Sequence, residues 1–557
     1  MNITKSKKFR HGSISVALMI VIIAAVILVN AIFTALSERF TWYIDMTAEQ
    51  IYTLSNEAKA LLDTVDSSRE VTVIFCSPKR ELEANPSLRY PLYTVTEMTE
   101  RYANIHIKFV DILTNPSAVA QYKESSGQSI TSNSIIVTST FEARNPDTDA
   151  LEKKTQSRVY ALNALYTYDS TGQSIIGYNG EQRLVSGIMA VTQVEVPLAY
   201  YTIGHGETDS LLSSTSAGSP ILTLLYETGY EVRPVDLSKA EQTVKDPATG
   251  EEKAVPTAEY MKDCRLLLIF DPKSDFINAE ELGGVNEIKW LDELLNRREC
   301  AVMTFFDHET PVMPNLEAFL KEWGVEIARY TDEMDVAHNY LIKDAGTSFD
   351  PNGIINVGEY VRTGLGYSIT KQLLASNYPK SVVFKYTGAI RLPENTNWTV
   401  TTSEQDENGD SFTYGAYYAN GINRAIYDVF NSTGDAIAEA NGGRVSGVSG
   451  PFKYMTVTRE TLADGGNSYL LACASTDFAS ADALASGYGN HTVLTRACHA
   501  MGGAQASVSL DCKYFTDTEI DTITAAAANR YTIVLTAVPA LAIFITGVVI
   551  MVRRKYA

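Results

Sequence analysis

His205 and Glu207 stand two residues apart, just past the β-branched and aromatic run Leu198 to Ile203. Asp271 follows a second apolar run, Arg265 to Phe270, and Asp307, His308 and Glu309 follow a third, Ala301 to Phe306. Open α/β sheets bind their ligands beyond the carboxyl ends of strands. Imidazoles and carboxylates gathered there suit a metal or an amino-bearing ligand. The set contains no His-x-x-x-His pair and no cysteine ligand, so the same residues also read as helix caps and turns. The candidate pocket is therefore His205, Glu207, Asp271, Asp307 and His308, with no catalytic residue, no metal and no cofactor assigned.

Other chemistry lacks its residues. There is no Gly-x-x-x-x-Gly-Lys-Ser/Thr phosphate loop and no Gly-x-Ser-x-Gly nucleophile elbow. The strands ending at Phe270 and Phe306 run into Asp271-Pro272 and Asp307-His308, so neither supplies the thiol of an amidotransferase. Cys76-Ser77-Pro78-Lys79 lacks the second cysteine needed for dithiol exchange. The six cysteines, Cys76, Cys264, Cys300, Cys473, Cys498 and Cys512, show no disulfide spacing, and several lie in apolar runs that suit buried free thiols. The chain is expected not to be an enzyme.

The elements that must carry these residues alternate. Ser55 caps a helix over Asn56 to Leu62, Val71 to Phe75 is a strand, Pro86 to Tyr102 a helix, and Ile105 to Val110 and Ile135 to Val137 are strands. This is a small α/β unit with a thioredoxin-like order. A helix opens at Gly180. From Leu198 the alternation of strand and helix predicts a larger, glutamine-amidotransferase-like or flavodoxin-like parallel-sheet domain. The Gly-, Asn-, Thr- and Tyr-rich stretch 332–450 reads as a long insertion in it. The domains are expected at 40–195 and 196–525.

Charge patterning sets the frame. Ser13 to Leu36, 24 residues, and Tyr531 to Val552, 22 residues, contain no Asp, Glu, Lys or Arg. A membrane span needs ~20 such residues. Lys5, Lys7, Lys8 and Arg10 precede the first segment, and Arg553, Arg554 and Lys555 follow the second. By the positive-inside rule, 1–12 and 553–557 are cytoplasmic, 13–36 and 531–552 are transmembrane helices, and the bulk of the chain is extracytoplasmic. A cleaved signal peptide ending near Ala35-Leu36-Ser37 is the alternative for the first segment. Setting those seven flanking charges aside leaves 39 basic against 66 acidic residues, about −27, in the region between them. That balance argues against nucleic acid as a partner.

Asp45-Met46-Thr47 and Tyr52-Thr53-Leu54-Ser55, Gly180-Glu181-Gln182, Tyr201 to Glu207, Asp271 to Asp275, Glu322-Trp323-Gly324 and Ser475 to Phe478 occur in an order that resembles the gliding-motility-associated ABC transporter auxiliary family, the GldG-like group. The resemblance covers nearly the whole chain and is weakest over 332–450. It implies a non-catalytic extracytoplasmic auxiliary subunit of an ABC-type export system in a bacterial plasma membrane. Its partners would be the lipid bilayer and separate permease and ATPase subunits. A stand-alone envelope-binding protein or a metal-dependent hydrolase is the alternative.

Overall fold

The computed structural model describes residues 50–85, 89–122, 130–144, 151–168, 175–193, 196–207, 219–245, 252–278, 285–297, 299–375, 380–394, 396–406, 409–484, 487–502, 510 and 512–515, with scattered positions in 21–32 and 545–553. The chain divides into two compact units, Met1–Lys513 and Tyr514–Ala557.

The first elements of the larger unit are α1 (Asn56–Leu62), β1 (Val71–Phe75), α2 (Arg89–Arg101), β2 (Ile105–Phe109), β3 (Ser134–Arg144), β4 (Leu151–Ala161) and α3 (Gly180–Thr192). Ser55 starts α1 by accepting the amide of Ala58, satisfying one of the donors a helix leaves open at its first turn. The four strands pair in the order β2-β1-β3-β4, with β1 and β2 parallel and the rest antiparallel. Helix α3 lies against this sheet so closely that a Cβ on Gly187 would meet the Tyr160 ring at 2.9 Å.

The second sheet is built on β5 (Leu198–Ile203), β6 (Glu231–Asp236), β7 (Cys264–Phe270), β8 (Cys300–Phe305), β9 (Trp398–Gln405), β10 (Ser411–Ala419), β11 (Ile422–Asn431), β12 (Lys453–Thr461) and β13 (Asn467–Cys473). Its order is β6-β5-β7-β8-β13-β12-β11-β10-β9. From β6 to β13 neighbours are parallel, and from β13 to β9 they are antiparallel. Three of the antiparallel strands come from the stretch that reads least clearly in the sequence.

Strand β7 shows why the parallel part must lie inside. Its run Cys-Arg-Leu-Leu-Leu-Ile-Phe is apolar on both faces, and five of its residues from Leu266 on are buried. On one face, Leu266 and Leu268 join Leu224 and Leu225 of α4 (Pro220–Glu227), Ile369 of α7 (Gly364–Ala375) and Val493 and Ala497 of α8 (Asn490–Gly502). On the other face, Leu267 and Ile269 join Leu291 and Leu294 of α5 (Glu287–Leu295) and Leu316 and Phe319 of α6 (Pro314–Glu322). Each helix carries an apolar stripe at 3.6-residue spacing, and burying that stripe supplies most of its stability.

This architecture corrects the expectation of a two-pass membrane protein. Among the described residues no helix is long and apolar enough to cross a membrane. The longest described helices have 13 residues, and a span needs ~20. The described fold is instead mixed α/β with many strands, and the parallel sheet expected from the alternation continues into an antiparallel half. The membrane localisation falls with the spans. Most of 13–36 and 531–552 lies outside the described residues. An absence of charge along the sequence permits a spanning helix without requiring one.

Candidate functional site

The parallel strands follow one another in the spatial order second, first, third, fourth and fifth. The connection from β5 leads to β6 on one side, and the next strand, β7, lies on the other. The gap between β5 and β7 is therefore the topological switch point of the sheet, where such folds open a crevice. His205 and Glu207 leave the end of β5, and Asp271 leaves the end of β7.

His205 is buried with 4% of its surface exposed, and Glu207 and the helix α5 residue Glu287 are fully buried. The Nε2 of His205 lies 3.1 Å from Oε2 of Glu287, and its Nδ1 lies 3.5 Å from Oε1 of Glu207. Its backbone N–H donates to Oε2 of Glu207 at 2.7 Å. The ring stacks on Phe276 with centroids 4.1 Å apart and planes 5° apart. Burial alone would discharge the imidazole. The hydrogen bonds and negative charges of Glu207 and Glu287 outweigh burial and raise its pKa to about 9. Burial likewise opposes the charge on Glu207, but the bond to His205 prevails and holds that carboxyl below its usual range. The result is a buried imidazolium clamped between two carboxylates.

Local sequence makes this possible. Gly204 and Gly206 adopt φ of +112° and +89°, a region that L side chains rarely enter. A Cβ on Gly206 would sit 2.9 Å from Cβ of Lys273. The close approach lets the Lys273 amide donate to the His205 carbonyl at 2.6 Å. Asn286 caps α5 by accepting the Lys289 amide, which puts Glu287 in the first turn, where the helix dipole favours a carboxylate. The Ile277 amide donates to Glu287 at 2.6 Å.

Asp271 sits beside this cluster and is also buried, at 6% exposed, with φ of +54°. Its carboxylate takes the Lys273 ammonium at 2.6 Å, and its amide donates to the Phe305 carbonyl at 3.0 Å. Asp307 and His308 form a separate group past β8. Asp307 accepts the Glu309 amide at 2.8 Å and the Thr476 hydroxyl at 2.6 Å, which closes a turn. His308 stacks on Tyr386 with centroids 5.8 Å apart and lines a cleft on that side. The five candidate residues thus fall into two groups, one ionic and internal, the other at a surface cleft.

Glu287, Lys273 and Phe276 complete the first group; Glu287 and Phe276 escaped the sequence reading, and Lys273 figured in it only within the Asp271 to Asp275 motif. The Asn286-Glu287 cap was the available signal, but only the tertiary fold brings that helix start to His205. Among the described residues no group of three or more His, Cys, Asp or Glu side chains is arranged to hold a metal ion. Cys76, Cys264, Cys473 and Cys498 are free buried thiols, and burial pushes the Cys76 thiol up to about 11.

A third polar cluster joins distant parts of the chain. The amide and hydroxyl of Ser55 donate to Oε1 of Glu181 at 2.6 and 2.7 Å, and the Lys513 ammonium reaches Oε2 of Glu181 at 2.6 Å. Lys513 also donates to the carbonyls of Gln50 and Thr53. Glu181 therefore gathers the segment entering α1, the start of α3 and the end of the unit.

No described protein family and no curated protein matches this chain. Among solved structures it is similar to a chain titled "mmIFT52 N-terminal domain", at 9% identity and a TM-score of 0.31, over 53% of this chain and 93% of that one. A likeness of that size carries no argument about function.

Proposed function

We propose that the protein is a non-catalytic accessory subunit that works by binding other proteins, the permease and ATPase of an ABC-type export system. The observation that carries the first half is the double clamp on His205. A general base needs one ring nitrogen free for substrate and the other held by an orienting group. Here both nitrogens face carboxylates 3.1 and 3.5 Å away, and the ring face is covered by Phe276. A group so enclosed braces the switch-point crevice and leaves neither imidazole nitrogen open to a substrate. The second half rests on the sequence resemblance. It gains support from the contact of Ser55 with Glu181, because two of the motifs that carry the resemblance meet there.

The test has two arms. The tagged protein, cross-linked in its native cells and isolated, is expected to bring an ABC-type ATPase and permease with it at fixed ratio. Recovery of neither overturns the partner assignment. The purified protein is expected not to hydrolyse ATP or release ammonia from glutamine. Turnover that a single substitution at His205 or Glu207 abolishes overturns the non-catalytic reading.

A further inference from the structure

We propose that His491, Arg183 and Glu227 form an acid-sensitive latch between the two sheets, in which protonation of the imidazole releases helix α3 of the first sheet from α4 and α8 of the second. This goes beyond the partner assignment above and holds or fails independently of it. Helices α4 and α8 pack on one face of the second sheet. Arg183, on α3, is ion-paired with Glu227, the last residue of α4. Its other terminal nitrogen donates to Nε2 of His491, in the first turn of α8, at 2.9 Å. A guanidinium has donors only, so Nε2 presents its lone pair and the ring is neutral, with its proton on Nδ1. The Arg183 and Glu227 side chains are 13% exposed and that of His491 is 20% exposed, so little water screens the three groups.

A second proton on the ring removes the acceptor and sets two cations where a hydrogen bond stood. The imidazolium then competes with Arg183 for the Glu227 carboxylate, whose Oε2 lies 3.7 Å from Nε2. Lys380, ahead of the strand Val383–Lys385, is a further cation acting on the ring. The first turn of α8 opposes a cation as well, because the helix dipole is positive there. Burial, Arg183 and Lys380 accordingly outweigh Glu227 and hold the His491 pKa below its ordinary 6.5. The folded protein binds this proton less tightly than the unfolded chain does. The latch is therefore intact above about pH 6.5 and weakens as pH falls below it. The sign is opposite to that of His205, which faces two carboxylates and no arginine.

Other contacts span the same junction without the histidine. Arg158 of β4 donates to the Gly229 carbonyl at 3.1 Å and lies over the Tyr226 ring, 4.6 Å from its centroid. The Tyr226 hydroxyl donates to the Ser157 carbonyl at 3.4 Å. These contacts keep the sheets joined when the latch opens, so acid loosens the junction and does not separate it.

Hydrogen exchange of the full-length protein at pH 7.5 and pH 5, corrected for the intrinsic pH dependence of amide exchange, tests the latch. On acidification the α3 and α4 amides are expected to lose roughly tenfold more protection than the amides of β7 and β8, which open only with the whole sheet. His491→Gln offers Arg183 an amide oxygen that does not titrate, and its α3 and α4 amides should keep their protection relative to β7 and β8 at both pH values. Arg158→Gln should lower protection at the junction by the same factor at both. An equal loss across α3, α4, β7 and β8 in wild type would mean general acid loosening and would overturn the proposal. So would wild-type protection that does not change with pH, or a His491→Gln variant that keeps the wild-type response. If His491→Gln does not fold, the wild-type comparison of α3 and α4 with β7 and β8 decides by itself.

Discussion

His205 and Glu287 lie 82 positions apart in sequence and 3.1 Å apart in space, fully sequestered at the switch point of the sheet. The bond joins the end of the first parallel strand to the start of the helix that precedes the fourth. It also stores a pH dependence. The ordinary histidine value is 6.5 and the folded value about 9. A raised folded pKa means that the native state holds its proton more tightly than the unfolded chain. The stabilisation is complete below about pH 6.5 and disappears as pH rises through about 9. Its magnitude is on the order of 3 kcal/mol. Melting curves from pH 6 to 10 should show wild type losing this increment while His205→Gln, lower at pH 6, stays nearly level relative to it. Parallel curves would refute the clamp.

Gly206 offers a test of the loop that carries the histidine. Alanine there must adopt φ of +89° and place Cβ against Lys273. Gly421 has φ of +81° with nothing within 4 Å of the added Cβ. Backbone strain alone costs ~1 kcal/mol, and the contact adds to it at Gly206 only. In urea denaturation Gly206→Ala should fall below Gly421→Ala by roughly 1 kcal/mol or more.

Lys513 holds Glu181, which is only 2% exposed. Replacing it with methionine leaves a buried carboxylate unpaired, a change that costs ~3–5 kcal/mol at comparable sites. The Leu54 and Ser55 amides should then exchange faster with deuterium, although they lie more than 450 residues away in sequence. The Leu54 amide itself donates to Glu97, so Glu97→Gln should loosen that amide directly. Unchanged protection in Lys513→Met would show that the three segments are not coupled.

Thiol accessibility follows from packing. Five cysteines are buried and Cys512 is partly exposed. Burial raises every one of the buried thiols, which lowers their thiolate fraction and reactivity. A thiol reagent should label at most one group per folded chain and six in denaturant without reductant. Fewer than six in denaturant would indicate a disulfide.

Local pattern determined much of the parallel core. The strands read at Val71 to Phe75 and Arg265 to Phe270 lie at Val71–Phe75 and Cys264–Phe270, because short apolar runs of this length between turn signals favour a buried strand. Ser55 was legible as a cap for the same reason, since capping chemistry is confined to one turn. The stretch 332–450 was not legible. Its strands at Trp398–Gln405 and Ser411–Ala419 alternate buried with exposed positions imperfectly, and their pairing depends on β11 and β12 being present. The two charge-free end segments show the opposite failure: composition satisfied a necessary condition for spanning, and no described helix meets the sufficient one.

The candidate site divides along the same line. The residue types at strand ends were set by sequence, and the left-handed turns on either side of His205 are written in Gly204 and Gly206. Which groups face one another was decided by tertiary structure alone. Glu287 reaches His205 only because α5 packs across β7, and Asp307 is kept from them because its carboxylate is spent on Glu309 and Thr476. An ionic contact is a property of distance in space, and chain position fixes that distance only within a turn or a strand.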